Sequence, residues 1–299
     1  MDVFKNIITL IRPQQWVKNI FIFLPMFFFG SILNPNCWRA CLLAFVAFSL
    51  IASSIYCLND IMDVDADKKH PKKKNRPIAS GKISIKNAYI IMGLCIFLSY
   101  AILISADYLD FFDNGKLVIT FCSLYLILNI LYSLKLKTIA IVDVFIIALG
   151  FVFRVFIGGY AAGVPISHWI ILLTFLLALF LALSKRRDDV LLYNKTGEKA
   201  RDNILRYNES FLNQATSIVA SITMVCYILY TVSEEVILRT GTPYLYITSI
   251  FVLAGIIRYL QISVVDAKSG SPTKILLKDR FIQLCILCWG LLFIYILYF

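Results

Sequence analysis

Long apolar runs separated by short polar stretches dominate the chain. A membrane-spanning helix needs about 20 mostly apolar residues. Nine runs are candidate spans, near residues 20–34, 40–58, 88–105, 117–133, 139–160, 168–184, 212–232, 243–262 and 281–298. The first run is the weakest because Pro25 interrupts it, and a bent helix lying partly in the membrane interface is the alternative there. We therefore predict an all-α membrane protein of about nine transmembrane helices.

The composition supports a lipid environment. Hydrophobic residues make up 60% of the chain and charged residues 16%, whereas soluble domains carry about a quarter charged residues. The eight cysteines lie almost entirely within apolar runs, where cysteine packs as a small hydrophobic residue. No linker or repeat divides the sequence, so residues 1–299 are expected to form a single polytopic membrane domain.

The distribution of basic residues predicts the topology, because Lys and Arg collect in cytoplasmic loops. Of the 29 Lys and Arg residues, only Arg39, Lys116 and Arg239 fall in one set of alternate loops, and Arg154 lies within a span. All others fall on the opposite side, which we assign to the cytoplasm together with the N-terminus. The net charge of +11 then describes the cytoplasmic face of an inner (plasma) membrane protein, suited to anionic headgroups or substrates rather than nucleic acid.

An acidic run follows the second predicted span. Asp60, Asp63 and Asp67 recur at i, i+3 and i+7 and share one face if the helix continues. Clustered carboxylates need a cation, and Mg²⁺ prefers oxygen ligands and commonly shares them with substrate phosphates. Asn59 could add an amide oxygen, whereas Asp65 points to another face. The pattern predicts a Mg²⁺ site that binds a diphosphate; the alternative is an acidic helix end balanced by the lysines that follow.

The stretch 70–81 is basic and contains two prolines and a glycine. Attraction to anionic lipid explains many such loops. A stiffened loop that carries Lys73, Lys74 and Arg76 beside carboxylates also suits the binding of phosphate groups. The residues alone leave both explanations open.

Two ionisable residues, Asp143 and Arg154, lie within the fifth predicted span. Such residues are costly in a membrane and are functional hypotheses by default. They are three helical turns apart, roughly 16 Å along the axis, so they cannot pair directly. Each therefore needs its own partner, either in a polar cavity or in a buried structural hydrogen bond.

The sixth span ends in a run of charged residues, 185–189. Lys185 lies one turn from Asp188 and Asp189, so one helix face can present a cation and a carboxylate together. A basic flank that anchors the span is the alternative.

Together these motifs resemble the UbiA-type intramembrane prenyltransferase superfamily, nine-helix enzymes with two aspartate-rich motifs at the cytoplasmic ends of helices two and six. Asn59, Asp60, Asp63 and Asp67 match its NDxxDxxxD motif. Within it, the chain is most similar to the decaprenyl-phosphate phosphoribosyltransferase branch. The matching stretches are 12–19, 70–81, 132–137, Arg154 with Gly158 and Gly159, 185–187 and 271–279.

The resemblance implies a UbiA-like bundle with a central polar cavity open to the cytoplasmic face and capped by loops 59–87, 185–211 and 263–280. It implies transfer of 5-phosphoribose from phosphoribosyl pyrophosphate (PRPP) to a polyprenyl phosphate in cell wall biosynthesis, with Mg²⁺ as cofactor. The implied catalytic residues and metal ligands are Asn59, Asp60, Asp63 and Asp67. The implied substrate contacts are Lys18, Lys73, Lys74, Arg76, Tyr132, Lys135, Lys137, Asp143, Arg154, Lys185, Arg186 and Asp188.

The chain departs from the wider superfamily at residues 185–189, where a second DxxxD motif is usual. Basic residues in place of aspartates favour direct binding of a phosphate over a second metal site. PRPP carries a diphosphate and a 5-phosphate, which one metal-rich and one cation-rich site would fit. Two alternatives stay open: transfer of a prenyl group from a prenyl diphosphate to an aromatic acceptor, and a non-catalytic polyprenyl-phosphate transporter. The sequence leaves open whether the protein forms a homo-oligomer.

Overall fold

The computed structural model describes residues 2–69, 73–197, 202–267, 270 and 272–298. Over these residues the protein is helical and contains no strand, as predicted. Eight segments in this part of the chain are long and apolar enough to cross a membrane, and each overlaps one of the predicted spans from the second onwards. Seven are single helices: α3 (Pro35–Met62), α5 (Ile85–Tyr108), α6 (Gly115–Leu134), α7 (Val142–Ala162), α8 (His168–Thr196), α9 (Glu209–Thr231) and α13 (Arg280–Tyr298). The other joins a 3₁₀ turn, Tyr244–Thr248, to α11 (Ser249–Val264).

The predicted first span near 20–34 is not one long helix. The N-terminal segment consists of α1 (Asp2–Ile11), a 3₁₀ helix (Pro13–Phe23) and the short helix α2 (Leu24–Phe28). Arg12 separates the first two with a left-handed backbone, φ 52°, and the following proline lacks the N–H that would continue α-helical bonding. The sequence alternative of a bent segment therefore describes this region better than a ninth straight helix.

The chain forms two compact units. The first contains Met1–Lys137 and Gly150–Ile166, and the second contains Thr138–Leu149 and Ser167–Phe299. Helix α7 contributes residues to both units. Each unit is described by itself below.

Helix α3 is the central element of the first unit and packs against α1, α5, α6 and the 3₁₀ helix. Its buried face carries the small residues Ala40, Ala44 and Ala47, which allow neighbouring helices to approach closely in a membrane protein. Phe48 and Tyr125 fill the centre of this core, with ring centroids 4.5 Å apart.

The 3₁₀ helix Pro13–Phe23 lies antiparallel along α3 and is fixed to it by polar contacts. The indole nitrogen of Trp16 donates to the Ser53 hydroxyl at 3.0 Å. One turn further, the Asn19 amide donates to the Ser49 hydroxyl at 2.8 Å. Because 3₁₀ runs longer than three or four residues are uncommon, these contacts explain how an 11-residue segment keeps that form.

In the second unit, α8 packs on α9, and α11 packs on α9 and α13. Phe180, Ala220, Tyr259, Ile262 and Ile282 belong to its buried apolar cluster.

The shorter elements of both units lie between the long helices in sequence. They are α4 (Val64–Lys69), α10 (Glu234–Thr240) and α12 (Pro272–Lys278), with 3₁₀ turns at Lys73–Asn75, Leu136–Thr138 and Asp202–Arg206.

Candidate active site

The acidic motif lies where α3 ends and α4 begins. Helix α3 stops at Met62 and Asp63 forms its C-cap, so the single continuous helix expected from the spacing is interrupted there. The backbone bonding nevertheless continues in helical register, because Asp63 donates to the Asn59 carbonyl at 2.9 Å and Asp67 donates to the Asp63 carbonyl at 2.8 Å. Asp60 and Asp67, seven residues apart, therefore stay on one face.

Arg76 joins these two aspartates. Its Nη1 donates to Asp60 Oδ1 at 3.0 Å and to Asp67 Oδ2 at 2.7 Å. Both carboxylates are almost fully buried, with 1% and 2% of their surface exposed. The structure thus brings the basic loop onto the acidic motif, as the sequence suggested, and places one guanidinium nitrogen in contact with two carboxylates.

Arg12 is a second cation on Asp60, and sequence reasoning did not single it out. Its Nη2 donates to the same oxygen, Asp60 Oδ1, at 2.5 Å, and its guanidinium lies 5.2 Å from the ring centre of Tyr56. The residue belongs to the matching stretch 12–19, and its place before Pro13 at the start of a membrane segment was the signal that could have identified it.

A third pair completes the site. Lys137 Nζ donates to Asp63 Oδ1 at 2.7 Å. Asn59 accepts a hydrogen bond from the Ser133 hydroxyl through Oδ1 at 2.7 Å. Asp65 points elsewhere and is exposed. We call the three carboxylates and three cations, Asp60, Asp63, Asp67, Arg12, Arg76 and Lys137, the aspartate cluster.

An apolar cluster supports this site from within the same unit. Leu10 of α1, Cys57 and Ile61 of α3, Ile78 of the basic loop and Ile83 just after it are buried together. The Ser53 hydroxyl also donates to the carbonyl of residue 11 at 2.8 Å. These contacts fix α1 and the basic loop to the end of α3, so the arginines they carry are held at the carboxylates by packing as well as by charge.

The fit of this site to Mg²⁺ can be judged from Asp60. Over the described residues, no three His, Cys, Asp or Glu side chains are already arranged as a metal site. However, Asp60 Oδ2 is buried and has no hydrogen-bond partner, although a buried polar atom usually has one. An unpartnered carboxylate oxygen is a suitable ligand for a hard cation. Asp60 Oδ2 therefore fits a hard cation, and Asp67 lies on the same face of the motif. The expected roles of Asp67, Asp63 and Asn59 as Mg²⁺ ligands stay predictions.

The other predicted substrate contacts of the first unit surround these elements in sequence. Tyr132 and Lys135 flank Ser133, whose hydroxyl reaches Asn59, and they are half-buried and exposed respectively. Lys73 and Lys74 form the 3₁₀ turn before Arg76, and Lys18 is half-buried in the 3₁₀ helix. Their roles stay predictions.

Arg154 has buried partners within the first unit, as its position in the membrane required. Its Nε donates to Asn19 Oδ1 at 2.9 Å and its Nη1 to the Gly150 carbonyl at 2.6 Å. Three aromatic rings lie within 5.2 Å of its guanidinium, those of Phe48, Tyr125 and Phe151. Aromatic faces attract cations, so these rings stabilise the arginine, which fixes the 3₁₀ helix through Asn19.

Asp143 pairs with Arg186 in the second unit. Arg186 Nε donates to Asp143 Oδ2 at 2.7 Å, both side chains are fully buried, and Arg186 Nη1 also donates to Asp189 at 3.1 Å. Tyr207 donates its hydroxyl to Asp143 Oδ1 at 2.8 Å and accepts the N–H of Ile141 at 2.6 Å. Burial raises the pKa of Tyr207, and its hydrogen bond to Asp143 acts in the same direction, so the hydroxyl stays a donor.

The basic motif at the end of α8 therefore has two kinds of residue. Arg187 is buried like Arg186 and donates to Asn213, to Glu209 and to the Ser263 carbonyl. Lys185 and Asp188 are half-buried. The predicted contact of Arg186 with substrate stays a prediction, and the structure gives it internal carboxylate partners. Sequence spacing could not reveal Tyr207 or Glu209, because no periodicity links them to Asp143 or Arg187.

Some predicted residues lie outside the described part of the chain. They include His70, Pro71 and Lys72 of the basic stretch, Ser271 of the C-terminal likeness, and parts of loops 185–211 and 263–280.

Comparisons with known proteins give a consistent result. The sequence profile of the UbiA prenyltransferase family matches residues 20–285. A decaprenyl-phosphate phosphoribosyltransferase of Mycolicibacterium smegmatis is 32% identical, covering 96% of this chain and 91% of that protein. One from Corynebacterium glutamicum is 30% identical, covering 95% and 84% respectively. Among solved structures, a UbiA homologue from Archaeoglobus fulgidus bound to DMAPP and Mg²⁺ matches with a TM-score of 0.71 at 19% identity, over 97% of this chain and 99% of that chain.

Proposed function

Because the chain belongs to the UbiA prenyltransferase family, we propose that it transfers 5-phosphoribose from PRPP to a polyprenyl phosphate of the decaprenyl type and releases pyrophosphate. The observation that carries the choice of donor is the similarity, over nearly the whole chain, to proteins named decaprenyl-phosphate phosphoribosyltransferase. The aspartate cluster supports this proposal, since its carboxylates and cations pair at 2.5 to 3.0 Å and Asp60 and Asp67 are buried.

The reaction exchanges one bond at the anomeric carbon for another. The bond from ribose C1 to the pyrophosphate oxygen breaks, and an oxygen of the lipid phosphate forms the new bond to C1. The lipid phosphate is already anionic, so it needs no general base. Charge accumulates on the departing pyrophosphate, and the site must stabilise it.

The side chains of the aspartate cluster divide this work. Asp60 and Asp67, with Asp63 and Asn59, are our candidates to hold Mg²⁺, which supplies charge stabilisation to the pyrophosphate when bound. Arg76 and Lys137 are about a quarter exposed, so an arriving diphosphate can contact them. Lys73, Lys74 and Lys135 add donors nearby in sequence, and in the second unit Lys185 stays a candidate phosphate ligand.

The cellular placement is also a proposal. The loops that carry the basic residues are expected to face the cytoplasm, where charged donors are made, and the polyprenyl tail of the acceptor is expected to remain in the lipid. The eight long apolar segments of the described residues, which expose many large hydrophobic side chains, suit that environment.

A donor panel tests the proposal. Purified protein with polyprenyl phosphate and Mg²⁺ should release pyrophosphate from PRPP and not from a prenyl diphosphate offered with an aromatic acid. Release only in the second mixture would assign the chain to aromatic prenyl transfer. Release in neither mixture, with the lipid still bound, would favour a polyprenyl-phosphate transporter.

A further inference from the structure

The aspartate cluster is balanced in charge before any ligand arrives. Three carboxylates face three cations through contacts of 2.5 to 3.0 Å. Asp60 and Asp67 are nearly inaccessible to solvent, so water screens their charges little and the paired cations provide most of the compensation. A divalent ion entering alone would leave two excess positive charges at this site.

Arg76 also occupies the position that a shared metal would need. One atom, Nη1, is hydrogen-bonded to both Asp60 and Asp67. A cation coordinated by both carboxylates must displace that nitrogen, and the displaced guanidinium then needs another anion. A diphosphate supplies one, because guanidinium binds phosphate oxygens well.

Packing holds the elements that carry both arginines, and Arg12 has one further contact that Arg76 does not share. Arg12 follows α1, which is anchored through Leu10 in the apolar cluster, and its guanidinium lies over Tyr56. Its backbone is held in the left-handed region. Arg12 therefore stays on Asp60 Oδ1 and leaves the unpartnered Oδ2 as the oxygen available to a ligand.

We infer that Arg12, Arg76 and Lys137 act as internal counter-cations that make the divalent metal and the diphosphate of the donor bind together rather than separately. This inference rests on the proposed function, since it assumes a metal and diphosphate site at the aspartate cluster. Each ligand raises the affinity of the site for the other by the same factor, as linkage requires. Removing one counter-cation has opposite effects on the two ligands: the metal alone binds more tightly and the diphosphate binds less tightly.

Mn²⁺ and inorganic pyrophosphate are the probes for the experiment. Protein-bound Mn²⁺ is measured by electron paramagnetic resonance at fixed concentrations of uncomplexed Mn²⁺, with and without pyrophosphate. In the wild-type protein, pyrophosphate should raise the Mn²⁺ affinity by about tenfold or more, within the usual range of coupling between sites. In Arg12→Gln, Mn²⁺ alone should bind about tenfold more tightly and the enhancement by pyrophosphate should shrink.

Three further variants control for folding and for nonspecific charge effects. Arg12→Lys keeps the positive charge and should keep the wild-type coupling. Lys137→Gln removes a different cation of the same cluster and should repeat the effect of Arg12→Gln, so the inference stays testable if Arg12→Gln does not fold. Arg39→Gln removes an exposed arginine that lies over Phe111 outside the cluster and should change neither affinity.

Equal Mn²⁺ affinity with and without pyrophosphate in the wild-type protein would overturn the inference. Weaker Mn²⁺ binding in both Arg12→Gln and Lys137→Gln would overturn it as well, because it would make these residues supports of the metal site rather than competitors. Formation of phosphoribosyl lipid is measured separately. Lipid product without coupling between Mn²⁺ and pyrophosphate would reject the inference and retain the proposed function. Coupling without lipid product would retain the inference and reject the proposed function.

Discussion

Asp60 shows at the scale of one residue how the site is built. It is buried at the end of a helix, accepts from two arginines through one oxygen and keeps the other oxygen without a partner. An isolated buried carboxylate would be very costly, so the two arginines account for its presence. The unpartnered oxygen is the atom that the proposed function assigns to the metal.

Asp60→Asn is expected to reduce transfer activity at least about a hundredfold, because it removes the charge that both the arginines and the metal require. Asp65→Asn is the matched control. Asp65 lies in the same acidic run but is exposed and lies 3.6 Å from Lys68. It should retain near wild-type turnover. The activity is measured as pyrophosphate release. Equal losses in the two variants would mean that the total negative charge of the acidic run matters and not the Asp60 carboxylate.

Arg186→Gln and Lys185→Gln are expected to fail in different ways. Removing one member of the buried Asp143–Arg186 pair leaves an uncompensated charge and should cost about 3–5 kcal/mol of stability. Lys185 is half-buried, and its replacement should mainly raise the Michaelis constant for the donor and leave that for the lipid unchanged. Thermal unfolding and steady-state kinetics of both variants separate the roles. If Arg186→Gln unfolds at the wild-type temperature and has a raised Michaelis constant for the donor, Arg186 contacts the substrate rather than stabilising the fold.

The residues of the site were predictable only in part. The spacing of Asp60, Asp63 and Asp67 identified them, because a helical period is visible in the sequence. The partners of these groups were harder to identify: Arg12 lies 48 positions from Asp60, and Tyr207 lies 64 positions from Asp143. Such contacts arise from tertiary packing, which leaves no local pattern.

At the scale of elements, the 3₁₀ helix Pro13–Phe23 is the feature that the hydrophobic pattern missed. The pattern measures how apolar a run is, and it located the other spans on that basis. It does not measure the contacts of Trp16 and Asn19 with α3 or of Asn19 with Arg154. Those contacts stabilise a backbone that the sequence alone would not favour.

Gly158 allows this segment to approach α7. A Cβ at Gly158 would overlap the backbone carbonyl of Ile22, whereas a Cβ at Gly93 in α5 would meet no atom within 4 Å. Gly158→Ala should therefore cost about 1–3 kcal/mol through overpacking. Gly93→Ala should be neutral or slightly stabilising, since alanine favours helix. Thermal unfolding in one detergent compares them, and equal melting temperatures would contradict the close packing.

At the scale of the whole molecule, charge and hydropathy act together. Apolar helices place the chain in a membrane, and the asymmetry of basic residues predicts which loops face the cytoplasm. The family match agrees with the fold class inferred from the sequence. The orientation in the membrane follows from the basic residues alone and stays a prediction.

Cysteine labelling tests that orientation. In a cysteine-free background, Asn75→Cys and Lys195→Cys should react with an impermeant maleimide only from the cytoplasmic side, and Pro165→Cys only from outside. All three positions are exposed, so accessibility does not limit the reaction. Labelling of positions 75 and 165 from the same side would contradict the topology.

In the proposed function, the chain joins phosphoribose to a polyprenyl phosphate at the aspartate cluster. Mass spectrometry of the lipid recovered after incubation with PRPP and Mg²⁺ tests it most directly. The wild-type protein should convert polyprenyl phosphate to a lipid heavier by one phosphoribosyl group, Asp65→Asn should do the same, and Asp60→Asn should yield almost none. Unchanged lipid with the wild-type protein would contradict this activity, and equal product from Asp60→Asn would contradict its assignment to the aspartate cluster.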